Sequence, residues 1–187
     1  MSYEIAAVDR ALALMETLAE TPGLGVTELA ERTGNTKSLT FRLLYTLEQR
    51  GFVQKDPDAR SYSLGYRTLF LADETRRQSR LIAAAAAFLA ALAADARGNA
   101  MLIVREDLNS LCVALREAPS PLRLFAQVGR LGPLHAGGGP KVLLAHAPEA
   151  VRAAVLAGPL EAFTEVTMTD PAKLRQAADE ILRLGFT

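Results

Sequence analysis

Residues 26–51, VTELAERTGNTKSLTFRLLYTLEQRG, read as two short helices joined by a tight turn. In the first, Val26, Leu29 and Ala30 fall at i, i+3 and i+4 and so share one face. Thr27 stands just before Glu28 and is the expected N-cap, its hydroxyl accepting a hydrogen bond from the first turn. Gly34 and Asn35 tolerate left-handed backbone and end that helix. The second helix opens near Thr36 and runs to Arg50, with Gly51 just past its end. Its apolar stripe is Leu43, Leu44 and Leu47, joined by either Leu39 or Thr40. At 100° per residue Ser38, Arg42, Tyr45 and Gln49 fall on the opposite face. That face carries a hydroxyl, a guanidinium, a phenol and an amide, and no acid. These groups bond to phosphates and base edges. An ordinary amphipathic helix pair would show the same apolar stripe, so the flanking chain has to decide between the two readings.

Downstream, Phe52-Val53-Gln54-Lys55 reads as a strand, residues 56–60 as a Pro-containing turn and Ser61-Tyr62-Ser63-Leu64 as the returning strand. Apolar and polar residues alternate on both sides of the turn, which is the hairpin signal. Two helices and a small hairpin make a winged helix-turn-helix. In that motif the second helix enters the major groove, and the hairpin, with Lys55 and Arg60 at or near its tip, lies on the backbone. Upstream, residues 8–20 form a further helix whose expected apolar face is Ala11, Leu12, Met15, Leu18 and Ala19.

This run resembles the N-terminal domain of IclR-family transcriptional regulators almost end to end. The residues that carry the resemblance are Val8-Asp9-Arg10-Ala11-Leu12, Lys37-Ser38, Arg42-Leu43-Leu44, Leu47-Glu48, Arg50-Gly51-Phe52 and Tyr62-Ser63-Leu64-Gly65. The family often has Pro where Thr36 stands, and Thr then Val where Leu39 and Thr40 stand. With the residue chemistry above, the expected DNA-contacting set is Thr36, Lys37, Ser38, Thr40, Arg42, Tyr45, Lys55 and Arg60.

Composition sets the outer bounds. The 187 residues allow one or two domains, and 50% hydrophobic with 22% charged residues suits a chain that builds a core. Residues 1–65 carry seven basic and nine acidic side chains, a balance of −2, so attraction to phosphate depends on where the charges sit. The single Cys112 excludes an intrachain disulfide and suits a reducing cytoplasm. It lies in the apolar run Leu111-Cys112-Val113-Ala114-Leu115 and reads as a buried, inert thiol. No N-terminal apolar segment suggests secretion, and the apolar run over 81–94 is short of the roughly 20 residues a bilayer needs, so no membrane is expected.

Residues 66–97 are rich in Ala and Leu and should be mostly helical. The resemblance implies a linker helix here, followed by the first helix of an effector domain, with a break between Asp73 and Leu81. Past Gly98 the period becomes strand-like: residues 100–105 and 110–116 around a turn at 107–109, then a third strand over 122–127. A glycine-dense loop over 128–140 leads to short helices at 141–147 and 148–157. Asp170-Pro171 caps a last helix to Leu184. The expected fold is α+β: a winged helix-turn-helix domain over 1–65, a linker helix over 66–80, and an effector-binding domain with an antiparallel sheet over 81–187.

The glycine-dense loop fails the phosphate-loop test, because Lys141 follows Pro140 and precedes Val142 rather than Ser or Thr. A tight turn that only redirects the chain is one reading. The other is that residues 137–139 aim backbone N–H groups into one concavity ahead of a helix, an arrangement that suits a small carboxylate. The segment also resembles the IclR effector domain in Leu134-His135 and Lys141-Val142-Leu143-Leu144-Ala145, with Pro140 standing where the family has glycine. In the family this loop borders the ligand pocket. The expected effector-binding residues are Leu131, Gly132, Leu134, Ala136, Gly137, Gly138 and Gly139. Compared with the family, the chain stops before the strands that complete the sheet, so the effector domain is expected to be incomplete at its C-terminus.

Two histidines and one cysteine, without metal-ligand spacing or a nucleophile motif, give catalysis little support, and neither cofactor nor metal is expected. The expectation is a DNA-binding regulator controlled by a small organic effector, a carboxylate or aromatic acid, and serving catabolic genes. It should bind double-stranded DNA as a homodimer formed through the reader domain and the helix over 69–80, with tetramers through the effector domain as a further assembly. The alternatives are an enzyme acting on small organic acids at the glycine-rich loop and a ligand-independent DNA-binding or scaffolding protein.

Overall fold

The computed structural model describes residues 3–118 and 127–187. The chain divides into two compact units, Met1–Gln78 and Ser79–Thr187. The first contains α1 (Ala6–Glu20), α2 (Val26–Arg32), α3 (Lys37–Gln49), β1 (Val53–Asp56), β2 (Ser61–Leu64) and α4 (Arg67–Gln78). The second contains α5 (Arg80–Ala96), β3 (Ala100–Glu106), β4 (Asn109–Arg116), β5 (Leu131–Pro133), α6 (Gly138–Ala145), α7 (Glu149–Ala157) and α8 (Pro171–Leu184). Helices with small antiparallel sheets make the fold α+β.

In the first unit both reader helices end in the same device. Gly34 and Gly51 take φ of 64° and 75°. After α2 the Asn35 N–H donates to Ala30 O at 2.9 Å, and after α3 the Phe52 N–H donates to Leu47 O at 2.9 Å. These are the six-to-one bonds of the Schellman motif, which satisfy carbonyls that the helix end leaves open. Thr36 caps α3, its Oγ1 accepting from Leu39 N–H at 3.3 Å. The α2 cap is Gly25 rather than the expected Thr27, which lies inside the first turn. Glu28 makes that possible, because its carboxylate accepts from the Gly25 N–H at 3.0 Å.

Leu14, Leu18, Leu24, Leu29, Leu44, Val53 and Tyr62 form the core of this unit. The buried edge of α1 is Leu14 and Leu18, whereas Leu12 and Ala19 of the expected face are exposed. Periodicity located an apolar side of this helix, but the side that packs is the one meeting α3 and β2. Leu24 pairs with Tyr62 as a one-residue bridge beside the β1–β2 hairpin, whose register runs from Val53↔Leu64 to Asp56↔Ser61. At the turn the Asp56 carboxylate accepts from the N–H groups of Asp58 and Ala59. That acid is thereby occupied in shaping the wing.

Thr40 settles the alternative left open on α3 and corrects its placement among the DNA contacts. It is fully buried, so it belongs to the apolar stripe and cannot reach a groove. Among the described residues its hydroxyl has no hydrogen-bond partner. An unsatisfied buried hydroxyl costs about 1–3 kcal/mol. Thr40→Val keeps the shape and removes the orphan. It is expected to stabilise the protein by about 1 kcal/mol, read as a higher urea midpoint at unchanged slope. An unchanged or lower midpoint would mean that the hydroxyl is satisfied in solution.

In the second unit β3, β4 and β5 form an antiparallel sheet in that order. α5 starts directly after Ser79, whose side chain accepts from Ile82 N–H, so the helical stretch breaks within the expected interval. One sheet face packs Ala100, Leu102 and Ala114 against Leu89 and Ala93 of α5. A second core gathers Leu134, Leu144, Val155 and Leu174, and a third Ala145, Ala178 and Ile181. Asp170 caps α8 as expected, accepting from Ala172 and Lys173 N–H, with Pro171 at the first helical position. The expected strand over 122–127 lies, apart from Gln127, outside the described residues. Two differences bear on the glycine-dense loop. The short strand β5 forms inside the glycine-dense loop because β4 offers it a free edge, and α6 begins at Gly138, three residues early. Among the described residues no single helix is long and apolar enough to cross a membrane.

Candidate functional sites

The solvent side of α3 carries Lys37, Ser38, Phe41, Arg42, Tyr45, Thr46 and Gln49, all exposed and none acidic. Glu48, the helix's only acid, lies toward buried Tyr62, whose hydroxyl pKa is raised by burial and further by that carboxylate. The Arg42 side chain takes part in no hydrogen bond or ion pair among the described residues, and its carbonyl accepts from the Thr46 hydroxyl at 2.9 Å. Thr36 is exposed at the cap. Of the expected contact set, α3 therefore gathers Thr36, Lys37, Ser38, Arg42 and Tyr45 at one end and side, and it withdraws Thr40. Phe41, 52% exposed, lies on the same side and was not in the expected set. The signal was its place on the wheel, between Lys37 and Tyr45, where a residue of the apolar core would not fall.

The hairpin supplies two cations. Lys55 projects from β1 beside its cross-strand partner Tyr62, with Nζ 5.9 Å from the ring centroid. Arg60 ends the turn at φ 51°, in left-handed backbone, and is exposed.

In the second unit a cavity of about 620 Å³ lies between the other face of the sheet and the start of α6. Strand residues Met101, Ile103, Ser110 and Cys112 form one wall, with Leu131, Gly132 and residues 136–140 around the rest. Leu134 is not among them. It is buried in the core with Leu144, Val155 and Leu174, which corrects its assignment as a pocket residue. Gly139 approaches the strand closely: a Cβ there would stand 2.3 Å from Ile103 Cδ1, the end of a side chain that would have to turn aside. The first N–H groups of α6, from Gly138 and Gly139, have no acceptor within the helix, and the helix start is electropositive.

The strand wall was missed because period-two alternation puts Ser110, Cys112 and Ala114 on one face. The register jumps instead from Leu102↔Ala114 to Ile103↔Cys112. Val113 is thus an extra residue, a bulge that turns Cys112 and Ser110 to the cavity while Ala114 stays against α5. Burial pushes the Cys112 thiol pKa up, which keeps it protonated at neutral pH and poorly nucleophilic. Ser110 Oγ donates to Gly132 O at 3.1 Å, and so ties β4 to β5. His135 is buried and bonds through Nε2 to the Glu161 carbonyl at 2.9 Å, a structural tie.

Comparison with known proteins agrees with both halves of this description. Residues 7–57 match the IclR helix-turn-helix domain, and residues 75–187 match the bacterial transcriptional regulator IclR C-terminal domain. The chain is 32% identical over 183 residues to the HTH-type transcriptional regulator BhcR of Paracoccus denitrificans, covering 97% of this chain and 66% of that protein. The crystal structure of an IclR transcriptional regulator from Alicyclobacillus acidocaldarius superimposes with a TM-score of 0.81 at 29% identity, over 97% of this chain and 74% of that one. A homologue from Microbacterium hydrocarbonoxydans, complexed with 4-hydroxybenzoate, shares the fold with a TM-score of 0.73 at 23% identity, over 97% and 75% of the two chains. A winged reader unit, a second α+β unit with a cavity, and family matches over both together show that the chain belongs to the bacterial IclR family of helix-turn-helix transcriptional regulators.

Proposed function

We propose that the protein is a cytoplasmic, sequence-specific DNA-binding regulator of catabolic genes whose affinity for its operator is set by a small organic acid. The acid-free outer side of α3 with its uncommitted Arg42 carries the DNA half of this reading. Ser38, Arg42 and Tyr45 face the major groove, while Lys37, Lys55 and Arg60, with Thr36 at the helix cap, hold phosphates. The test is capture of fragmented genomic DNA by the protein followed by sequencing. A small set of enriched fragments sharing paired half-sites is expected, and uniform retention or none would overturn the reading.

The effector sits in the sheet–α6 cavity. Its carboxylate is held by the N–H groups of residues 137–139 and its body lies against Met101, Ile103 and Leu131. The fold relative bound to 4-hydroxybenzoate supports an aromatic acid of that size. Binding acts on DNA affinity only as far as the ligand prefers one arrangement of the protein over another. Calorimetric titration with 4-hydroxybenzoate and its uncharged amide is expected to show the acid binding at least about tenfold more tightly, the advantage of charge-assisted hydrogen bonds. Equal affinities would place the carboxylate elsewhere.

Dimerisation completes the DNA reading, because one winged helix makes too little contact for a specific site. None of the twelve residues of α4 is buried, although Leu69, Phe70 and Leu71 are among them, and α1 exposes Val8 and Leu12. An apolar helix face without cover is what a second subunit buries. Light scattering is expected to give a dimer, and Phe70→Asp a monomer. A monomeric parent protein would contradict this assembly.

A further inference from the structure

Phe41 stands 52% exposed on the outer side of α3, with Tyr45 one turn on at 56%. It belongs to none of the hydrophobic cores. With Arg42, Tyr45 and Thr46 it borders a shallow open depression on the helix surface. Its neighbours on that side are cationic or hydrogen-bonding, and the nearest cations, Lys37 and Arg42, come without a carboxylate. Such a surface complements a polyanion better than it does an apolar protein partner. Within the major groove, the C5-methyl of thymine is the one apolar group that stands out from the base edges, cytosine offering only a C5–H in its place, and the remaining features there are mostly donors and acceptors. A phenyl ring brought into that groove has that methyl to gain from and loses by facing anything else.

We propose that Phe41 is a specificity-determining residue that packs on the C5-methyl of a thymine beside the base pair contacted by Arg42. The proposal rests on α3 being the groove-reading helix and adds a contact that hydrogen-bonding chemistry does not supply. Phe41 precedes Arg42 directly and lies at its flank on the helical wheel, so the two side chains reach adjacent base steps rather than the same one. The preferred site therefore carries a thymine next to the base that Arg42 reads, in each half-site.

The experiment uses the 187-residue chain and duplexes enriched from a random pool. Each thymine of the preferred duplex is replaced in turn by deoxyuridine, which deletes the methyl and leaves every hydrogen-bonding edge intact. For the wild-type protein, one thymine per half-site is expected to show about fourfold weaker binding on replacement, the factor for roughly 0.8 kcal/mol per buried methyl-sized group. Phe41→Ala is expected to bind the thymine duplex more weakly and to be indifferent to uracil at that position. Phe41→Leu, which keeps an apolar group on the helix, retains the dependence and guards against a folding defect in the alanine variant. A wild-type protein blind to every uracil substitution overturns the assignment, as does an alanine variant that loses the same factor as wild type. Failure to enrich any duplex overturns the DNA-binding reading and this assignment with it, whereas enrichment without thymine dependence overturns the assignment alone.

Discussion

Arg42→Ala is expected to weaken binding to a specific duplex by about 1–3 kcal/mol, tenfold or more, and to flatten base preference at one position of each half-site. That magnitude is the one for a bidentate guanidinium contact to guanine, the contact proposed for Arg42. Among the described residues the guanidinium makes no bond, so its loss should leave the fold unchanged. That separates a reading defect from a folding defect, because the thermal midpoint stays put while affinity falls. Lys55→Ala is the contrasting case. Its ammonium projects from the exposed hairpin, 5.9 Å from the centroid of the Tyr62 ring. Removing it should weaken binding to all duplexes alike and lower the slope of log affinity against log salt by about one. Equal loss of preference in both variants, measured on matched and scrambled duplexes, would show that α3 is not the reading element.

Gly65→Ala is expected to be the most damaging single-methyl change in the reader unit. A Cβ at Gly65 would stand 2.3 Å from Gly51 O and 2.9 Å from Gly51 C, and both are backbone atoms. Neither can step aside as a flexible side chain would. The same backbone is already bound in place, since the Gly65 N–H donates to Phe52 O at 2.8 Å and the Arg67 N–H to Gly51 O at 3.2 Å. These bonds fasten the end of the hairpin to the end of α3. Overpacking ordinarily costs about 1–3 kcal/mol, and here the cost belongs at the top of that range because the backbone must move. The expected result is a lower unfolding midpoint together with loss of DNA binding, as α3 and the wing separate. Gly23→Ala serves as a control for methyl addition itself. Its Cβ would meet nothing within 4 Å, and only its left-handed φ of 86° is strained, so a smaller loss is expected there. Equal losses for the two variants would mean that the junction at Gly65 yields.

Much of the reader unit was legible in the chain because its determinants are local. Gly34 and Gly51 stop helices by backbone freedom alone, Thr36 caps α3 through a bond three residues away, and the hairpin follows from alternation around a turn. Where the reading failed, the deciding partner was distant in sequence. The choice between Leu39 and Thr40 was set by which side of α3 meets the rest of the unit. That packing buried a threonine whose hydroxyl has no partner among the described residues. The expected face of α1 was displaced toward Leu14 for the same reason.

The second unit divides along the same line. Its strands, the α8 cap at Asp170 and the glycine-rich approach to α6 can be read from neighbours in the chain. The cavity cannot. Its wall exists because the Val113 bulge reverses the alternation of β4 and turns Ser110 and Cys112 inward, across from the Gly138–Gly139 start of α6. Leu134, five residues from Gly139 and expected at the pocket, is instead drawn into the core shared with α6, α7 and α8. The sequence by itself determined most of the elements and the family, since these depend on backbone preference and short-range spacing, whereas β5 and the start of α6 were set by packing on the sheet. Tertiary structure alone decided which face of each element is spent on packing and which remains for DNA or effector. That choice is made by burial against chain segments tens of residues away, and burial leaves no local mark.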